Sequence, residues 1–245
     1  MKKCLFLIVL FTTFFGYSQI DYGKQIKKKD LPNVTFEKTT DAEGNVTFGF
    51  KMNGLPVGGQ MVLGTAGITK YMTFNKKHEI DGTMIIMKKN SGEIELYTYR
   101  KSQKNGPAFK MNGGNIAWHK QFEDDAATEK EYEVNHTFDY YSNKNTPSFE
   151  GFTIEEYKTS IAIGYFAYSK MAYPIIRVWN EGGSYYGQCI QGERKEFGAY
   201  FFADGKKYIG AWHKNDQEGL GFMIDKDGKV IEKGFYKDGK LEISI

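Results

Sequence analysis

Short apolar and aromatic runs alternate with glycine-containing polar segments at a fixed spacing between residues 185 and 239. Glycines recur 5, 11 and 18 residues after Gly187, and Asn or Gly recurs 5, 9, 11 and 18 residues after Gly210. A third copy begins at Gly234 and has Gly239 at its fifth position. Apolar runs of this length, separated by Asp-Gly and similar turns, predict β-strands joined by hairpins. The repeat of 23 to 24 residues therefore predicts a meander with two strands in each unit.

Glycines inside the strands need a separate explanation, because glycine weakens a strand unless close packing requires it. We expect the glycines at positions 0, 9 and 11 of each repeat to leave room for an aromatic ring of the neighbouring strand. Aromatic residues recur two residues before and after position 0, and these are the candidates to line a binding groove: Tyr185, Tyr208, Trp212 and Tyr236. The alternative is that all four pack on one another.

The segment from Tyr208 to Gly228 resembles a MORN repeat (membrane occupation and recognition nexus). It has the Tyr-x-Gly-x-Trp start at Tyr208–Trp212, the Gly-x-Gly pair followed by an aromatic residue, and the closing Asp-Gly. Residues 187–207 match as well, with Cys189 in place of the Trp and Glu196 in place of the glycine at position 9. The resemblance is clearest over 185–239 and degenerate over 44–118. It implies an all-β, elongated, single-layer antiparallel meander of stacked β-hairpins, a MORN-like repeat ribbon.

The remainder of the chain follows the same period less regularly. Residues 34–121 form degenerate MORN-like repeats, in which Gly58, Gly82 and Gly106 are separated by steps of 24. An acidic, alanine-containing stretch at 122–137 is an irregular insertion, either a short helix or a bulging loop. The repeats resume over 138–245.

The amino terminus has the pattern of a secretory signal peptide over residues 1–19. A basic start, Lys2 and Lys3, precedes an apolar run and small residues. A polar lead-in follows at 20–33. We therefore expect a secreted, periplasmic or cell-envelope protein. Removal of the two lysines lowers the formal net charge from +3 to +1, which argues against a nucleic-acid partner.

The sequence contains no recognisable catalytic constellation. The four histidines are not spaced as metal ligands, so we expect no metal site and no cofactor. His119 is expected at the repeat surface. Cys189 has no base in an obvious register, so it is expected to be a small buried residue in the Trp position.

Three functions are compatible with these patterns. The first is a non-catalytic interaction or scaffold module that binds another protein or an envelope component. The second is a membrane-lipid binding module, which the name of the family suggests. The third is a glycan-acting enzyme with carboxylates assembled from distant repeats. The apolar segment Leu241–Ile245 is expected to be an edge strand, through which a homodimer could pair.

Overall fold

The computed structural model describes residues 26–127, 132–133, 151–167 and 170–245. The predicted signal peptide, the first residues of the lead-in and half of the insertion predicted at 122–137 lie outside the described residues. Within the described ranges the chain is a succession of antiparallel strands, preceded by a short 3-10 helix at Lys28–Asn33. The prediction of an all-β hairpin meander is confirmed.

The first sheet is built from the amino half of the chain. Its strands follow one another in chain order, and β9 and β10 both pair with β8. They are β1 Val34–Thr40, β2 Val46–Met52, β3 Leu55–Leu63, β4 Ile68–Phe74, β5 Gly82–Lys88, β6 Glu93–Arg100, β7 Gln103–Asn112, β8 Asn115–Glu123, β9 Ala126–Ala127 and β10 Tyr132–Glu133. The described part of the predicted insertion is therefore strand and turn, and not helix.

The second sheet is built from the carboxyl half, again with every strand paired to its neighbours in chain order. Its strands are β11 Gly151–Tyr157, β12 Ser160–Ala167, β13 Lys170–Trp179, β14 Ser184–Ile190, β15 Glu193–Phe201, β16 Lys207–His213, β17 Asp216–Ile224, β18 Val230–Lys237 and β19 Lys240–Ser244. The strand β19 lies at an edge, as predicted for the segment Leu241–Ile245.

The hairpin turns explain the glycines and asparagines at position 5 of the repeat. Asn53–Gly54 has φ values of 54° and 78°, and Asp238–Gly239 has 49° and 76°. Two successive residues with positive φ define the two-residue turn whose twist matches that of the strands, and Asn, Asp and Gly adopt it most readily. The equivalent turn at Lys214–Asn215, with φ values of 50° and 77°, uses Asn at the second position.

A row of glycines runs across five neighbouring strands of the second sheet. The register pairs Gly187 with Gly198, Gly198 with Gly210, Gly210 with Gly221, and Gly221 with Gly234. Positions 0 and 11 of successive repeats are therefore directly opposite one another. The prediction that Gly187, Gly210 and Gly234 occupy equivalent places is confirmed.

Tyrosine rings cover this bare row. A Cβ atom at Gly198 would overlap the ring of Tyr185, and one at Gly221 would overlap the ring of Tyr208. Within β16, the strand of Tyr208 itself, a Cβ at Gly210 would lie 2.6 Å from the Tyr208 hydroxyl oxygen. Each tyrosine thus spans two glycines, one on its own strand and one on the next.

Position 9 has a different role from the one expected. Gly58, Gly82, Gly106 and Gly219 have φ values of 61°, 112°, 116° and 100°. This is the left-handed region, which glycine enters without steric penalty. In the second sheet the residue lies in a β-bulge, where the register of β16 and β17 shifts between Gly210 and Trp212. Backbone conformation, and not space for a ring, explains this glycine.

The meander differs from the expected single-layer ribbon because the two sheets pack face to face. Phe50, Val57 and Met61 of the first sheet share one buried cluster with Ile209 and other residues of the second. The rings of Phe36 and Phe222 meet edge to face with centroids 5.1 Å apart. A single layer would leave one apolar face in water, and burying apolar area gains about 25 cal/mol per Å². The two halves of the chain cover each other instead.

Candidate functional site

The four predicted groove residues do come together, on the face of the second sheet that is turned away from the first. We call this the outer face. Neighbouring rings meet edge to face, with centroids 5.6 Å apart for Tyr185 and Trp212, 5.2 Å for Tyr208 and Trp212, and 5.0 Å for Tyr208 and Tyr236. Their exposed fractions are only 0%, 0%, 5% and 1% in chain order. The four residues therefore form a packed layer and not an open groove.

Their polar atoms are also occupied. The Tyr185 hydroxyl donates to the Gln188 carbonyl oxygen at 2.7 Å, and the Tyr208 hydroxyl donates to that of Ala211 at 3.0 Å. Trp212 donates from Nε1 to the Gly198 carbonyl oxygen at 3.2 Å. Gln188 and Ala211 hold the same position in their repeats, at a bulge where the strand register shifts. The tyrosine hydroxyls therefore donate hydrogen bonds to backbone carbonyl groups at the bulges, where the pairing between strands is interrupted.

A pocket of about 210 Å³ opens beside this aromatic layer. We call it the arginine pocket. Its lining residues come from β13, β14 and β15, from the turn between β14 and β15, and from the turn between β16 and β17: Met171, Ile175, Arg177, Trp179, Tyr185, Cys189, Gly192, Arg194 and Asn215. Of the four predicted residues, Tyr185 lines the pocket directly. Trp212 contacts the pocket indirectly, because its ring packs against the guanidinium group of Arg194.

Arg194 is held against aromatic rings on several sides. Its guanidinium carbon lies 4.4 Å from the ring centre of Trp212 and 5.3 Å from that of Tyr200. It donates from Nη2 to the Asn215 carbonyl oxygen at 2.8 Å, while its backbone N–H donates to Oδ1 of Asn215 at 3.0 Å. Burial lowers the pKa of Arg194, and the charge of Arg177 lowers it further.

Arg177 lies on the neighbouring side of the same pocket. It donates from Nε to the Ser160 hydroxyl oxygen at 3.0 Å. Its guanidinium carbon lies 5.0 Å from the ring centre of Tyr157 and 5.1 Å from that of Trp179. Among the described residues, no ion pair joins Arg177 or Arg194 to a carboxylate. The pocket thus presents two cations that have no ion-pair partner in the part of the chain that the structure describes.

Cys189 lines the arginine pocket, but its thiol is not a reactive nucleophile. The residue is 1% exposed, and burial raises the pKa of its thiol to about 12. A thiol with such a pKa stays protonated at neutral pH, and the thiolate is the nucleophile. Cys189 is a small buried residue at the position of Trp212 in the next repeat, as the sequence predicts.

His119 lies in a different place from the one expected. Its ring stacks on that of Phe152 with centroids 4.7 Å apart and planes 3° apart, and its Nδ1 atom lies 3.3 Å from the Tyr165 hydroxyl oxygen. Both partners belong to the second sheet, so His119 packs between the layers. In the described part of the chain, no group of three or more His, Cys, Asp or Glu residues could hold a metal ion.

A second cavity of about 400 Å³ lies where β1 and β2 meet β18 and the turn before it. We call it the lysine cleft. Phe36 and Phe48 line it together with Lys38, Lys229 and Lys233. The ammonium of Lys38 lies 5.3 Å from the centre of the Phe48 ring, and that of Lys233 lies 5.1 Å from the centre of the Phe36 ring. The cleft is therefore basic with an aromatic floor.

A carboxyl group is buried between the sheets at Glu196. The residue is 6% exposed, its φ of 67° is left-handed, and its Oε1 atom has no hydrogen-bond partner among the residues that the structure describes. Burial, with a smaller contribution from the charge of Asp81, raises the pKa of Glu196 to about 8. This is the repeat position at which Gly219 stands in the next unit.

Comparisons with known proteins add little to this geometry. No protein-family model and no curated protein sequence matches the chain. The crystal structure of BamB from Moraxella catarrhalis aligns with 87% of this chain and 91% of its own, at 8% identity. The TM-score of 0.15 is too low for this likeness to support a conclusion about fold or function.

The arginine pocket was not foreseen from the sequence. One signal was present: only three of the 33 basic residues are arginines, and two of these are Arg177 and Arg194. They lie in different repeats and at different repeat positions, so only the strand register shows that they share a pocket.

Proposed function

We propose that the protein is an exported, non-catalytic repeat module that binds another protein of the cell envelope through its outer face. The observation that carries this proposal is the arginine pocket, in which two guanidinium groups lie against aromatic rings and have no ion-pair partner among the described residues. Aromatic residues and arginine dominate the binding energy of protein interfaces, because they combine large contact area with directed hydrogen bonds.

The chemistry of the pocket supports binding in preference to catalysis. It offers two cations, several rings and a thiol that burial keeps protonated. A desolvated carboxyl group beside a second acid would favour an enzyme, and Glu196 with Asp81 has that character. However, Glu196 lies between the packed sheets with 6% of its surface exposed, which leaves a substrate no access.

Export and family membership are part of the same proposal. The basic and apolar pattern of residues 1–19 supports secretion, and the resemblance of Tyr208–Gly228 to a MORN repeat supports a role in assembly or recognition. The packed aromatic layer supports a rigid binding platform. Rigid surfaces lose less conformational entropy when they bind a partner.

Site-specific photocrosslinking tests the proposal in the native envelope. A photoreactive amino acid replaces Tyr157, which is 38% exposed beside Arg177 on the outer face. The matched control carries it at Lys70, an exposed position on the far side of the first sheet. We expect a discrete adduct with a partner protein from position 157 and none from position 70. Identical adducts from both positions, or none from 157, would contradict the proposal.

The lysine cleft favours a second candidate, binding of an anionic lipid headgroup. Lys38, Lys229 and Lys233 have no ion pair among the described residues, and Phe36 and Phe48 supply an apolar floor. The net charge of +1 after loss of the leader argues against strong general attraction to anionic membranes. Vesicle flotation decides between protein binding and lipid binding. Lipid binding requires salt-sensitive co-flotation of the protein with anionic vesicles, and a Lys38→Gln, Lys233→Gln variant should lose it.

A further inference from the structure

The two arginines of the pocket both lie near one indole ring. The guanidinium carbon of Arg177 lies 5.1 Å from the ring centre of Trp179, and that of Arg194 lies 5.9 Å from it. The third arginine of the chain, Arg100, ends β6 in the other sheet. Because lysine supplies the remaining positive charge of this protein, the use of arginine here indicates a requirement for its planar fork of N–H donors.

The two like charges lie near the same ring, and the charge of Arg177 makes a small unfavourable contribution to the charged form of Arg194. Burial is the main cause that disfavours the charged form of Arg194 and lowers its pKa. No carboxylate of the described residues forms an ion pair with either group. Placing two cations together in a partly desolvated pocket is unfavourable, and a bound anion would remove that penalty. The pocket is thus electrostatically complementary to a negative group.

Most of the guanidinium donors are available for a ligand. Each guanidinium carries five N–H donors. In the described structure, Arg177 uses its Nε–H on the Ser160 hydroxyl, and Arg194 uses one Nη2–H on the Asn215 carbonyl. These two bonds fix the orientation of the groups and leave their other donors for an oxyanion, which guanidinium binds with paired hydrogen bonds.

The size and lining of the pocket restrict what carries the oxyanion. A volume of about 210 Å³ is smaller than the several hundred Å³ usual for sites of whole small molecules. Met171, Ile175 and Trp179 make much of the lining apolar. The Oδ1 and carbonyl oxygen atoms of Asn215 already accept bonds from Arg194, so few groups remain for the hydroxyls of a sugar ring. An apolar stem with a charged end fits best.

We propose that Arg177 and Arg194 together bind a carboxylate group of the partner protein, at the end of an acidic side chain or of its chain. The proposal rests on the proposed function, since it names what the outer face recognises. The carboxylate lies between the two guanidinium groups, and its apolar stem contacts Trp179 and Met171. A phosphate or an acidic sugar is the competing occupant.

Nitrogen–proton NMR of the arginine side chains tests this on the wild-type protein. The chain has three arginines, so it gives three Nε–H signals, which Arg100→Gln, Arg177→Gln and Arg194→Gln assign. The probes are an end-blocked Ala-Leu-Glu-Ala peptide, its Gln counterpart, inorganic phosphate and glucuronic acid. We expect the Glu peptide to shift the signals of Arg177 and Arg194 in a saturable way, and that of Arg100 to stay in place as the internal control.

Each result of this titration either supports the proposal or overturns it. Shifts with the Glu peptide and none with the Gln peptide support the proposal. Absence of a shift, equal shifts with both peptides, or shifts at lower concentrations of phosphate or glucuronic acid would overturn it. The Arg194→Lys variant keeps the charge and loses the fork, and we expect about tenfold weaker binding of the Glu peptide. Thermal unfolding of each variant verifies that it is folded.

Photocrosslinking from position 157 separates failure of this proposal from failure of the proposed function. Specific adducts that persist in the Arg177→Gln, Arg194→Gln protein would show that the outer face binds a partner without the carboxylate contact. That result would overturn the inference and leave the proposed function standing. Loss of the adduct in the folded double variant, with retention in Arg100→Gln, supports both.

Discussion

The ring of Tyr208 lies on the bare backbone of Gly221, the glycine of the neighbouring strand, where any Cβ atom would overlap it. The same pairing joins Tyr185 to Gly198 one repeat earlier. Because the glycines form a row across β14 to β18, successive tyrosines form a parallel row above them. One face of the second sheet is closed in this way by aromatic side chains, and its other face packs on the first sheet.

Substituting Gly221 with Ala tests that relationship. We expect a loss of about 1–3 kcal/mol in the free energy of unfolding, because the ring of Tyr208 must leave its position. Gly228→Ala is the control: its φ is 84° but its Cβ would meet nothing within 4 Å, so only backbone strain of about 1 kcal/mol applies. Chemical denaturation measures the free energy of unfolding of both variants. In a Tyr208→Leu background the Gly221→Ala penalty should shrink; an unchanged penalty would contradict the contact.

Glu196→Gly should stabilise the protein. The substitution relieves a left-handed φ of 67° at a residue with a side chain, which costs about 1–3 kcal/mol, and removes a buried carboxyl group. The next repeat already has Gly219 at this position. Thermal unfolding at neutral pH provides the measurement, with Glu193→Gly at an ordinary strand position as the control. A lower melting temperature for Glu196→Gly would show that the carboxyl group has a stabilising partner.

The pH dependence of stability isolates the ionisation of Glu196. Its pKa is raised from 4.5 to about 8 by burial, so the folded state binds a proton that the unfolded state releases between these values. Stability should therefore fall as pH rises from 4.5 to 8, by on the order of a few kcal/mol at most. Glu196→Gln cannot ionise, and denaturation across this range should show a flatter profile. Parallel profiles for the two proteins would refute the assignment.

We expect Trp212→Ala to lower the free energy of unfolding, and not only to remove a surface that contacts a partner. The side chain is 5% exposed, lies against Tyr185 and Tyr208, and supports Arg194. Deleting a buried indole costs about 3–5 kcal/mol. Trp179, which is half-buried at the pocket, should cost less when replaced by Ala. Denaturation curves compare the two variants, and equal losses would show that the aromatic layer is less tightly packed than its exposure indicates.

Local signals in the sequence predict much of this fold. The spacing of Gly187, Gly210 and Gly234 predicts equivalent strands, because turn geometry and room for a ring act over a few residues. The same spacing cannot distinguish a glycine needed for space, such as Gly221, from one needed for a left-handed φ, such as Gly219, because both appear as one missing side chain.

The two-layer arrangement and the arginine pocket depend on contacts between distant residues. Phe36 meets Phe222 across the sheets, and no local pattern states which apolar faces will meet. Arg177 and Arg194 share a pocket only because β14 places β13 and β15 at a fixed register on either side of it. The sequence predicts the aromatic residues beside this pocket, and the register determines which cations join them.

Competition photocrosslinking tests the central functional claim most directly. The photoreactive residue at position 157 is activated in the envelope with increasing concentrations of the end-blocked Ala-Leu-Glu-Ala peptide or of its Gln counterpart. If the outer face holds its partner through a carboxylate between Arg177 and Arg194, the Glu peptide will suppress the adduct and the Gln peptide will not. An adduct whose yield is the same at every concentration of the Glu peptide would contradict the account.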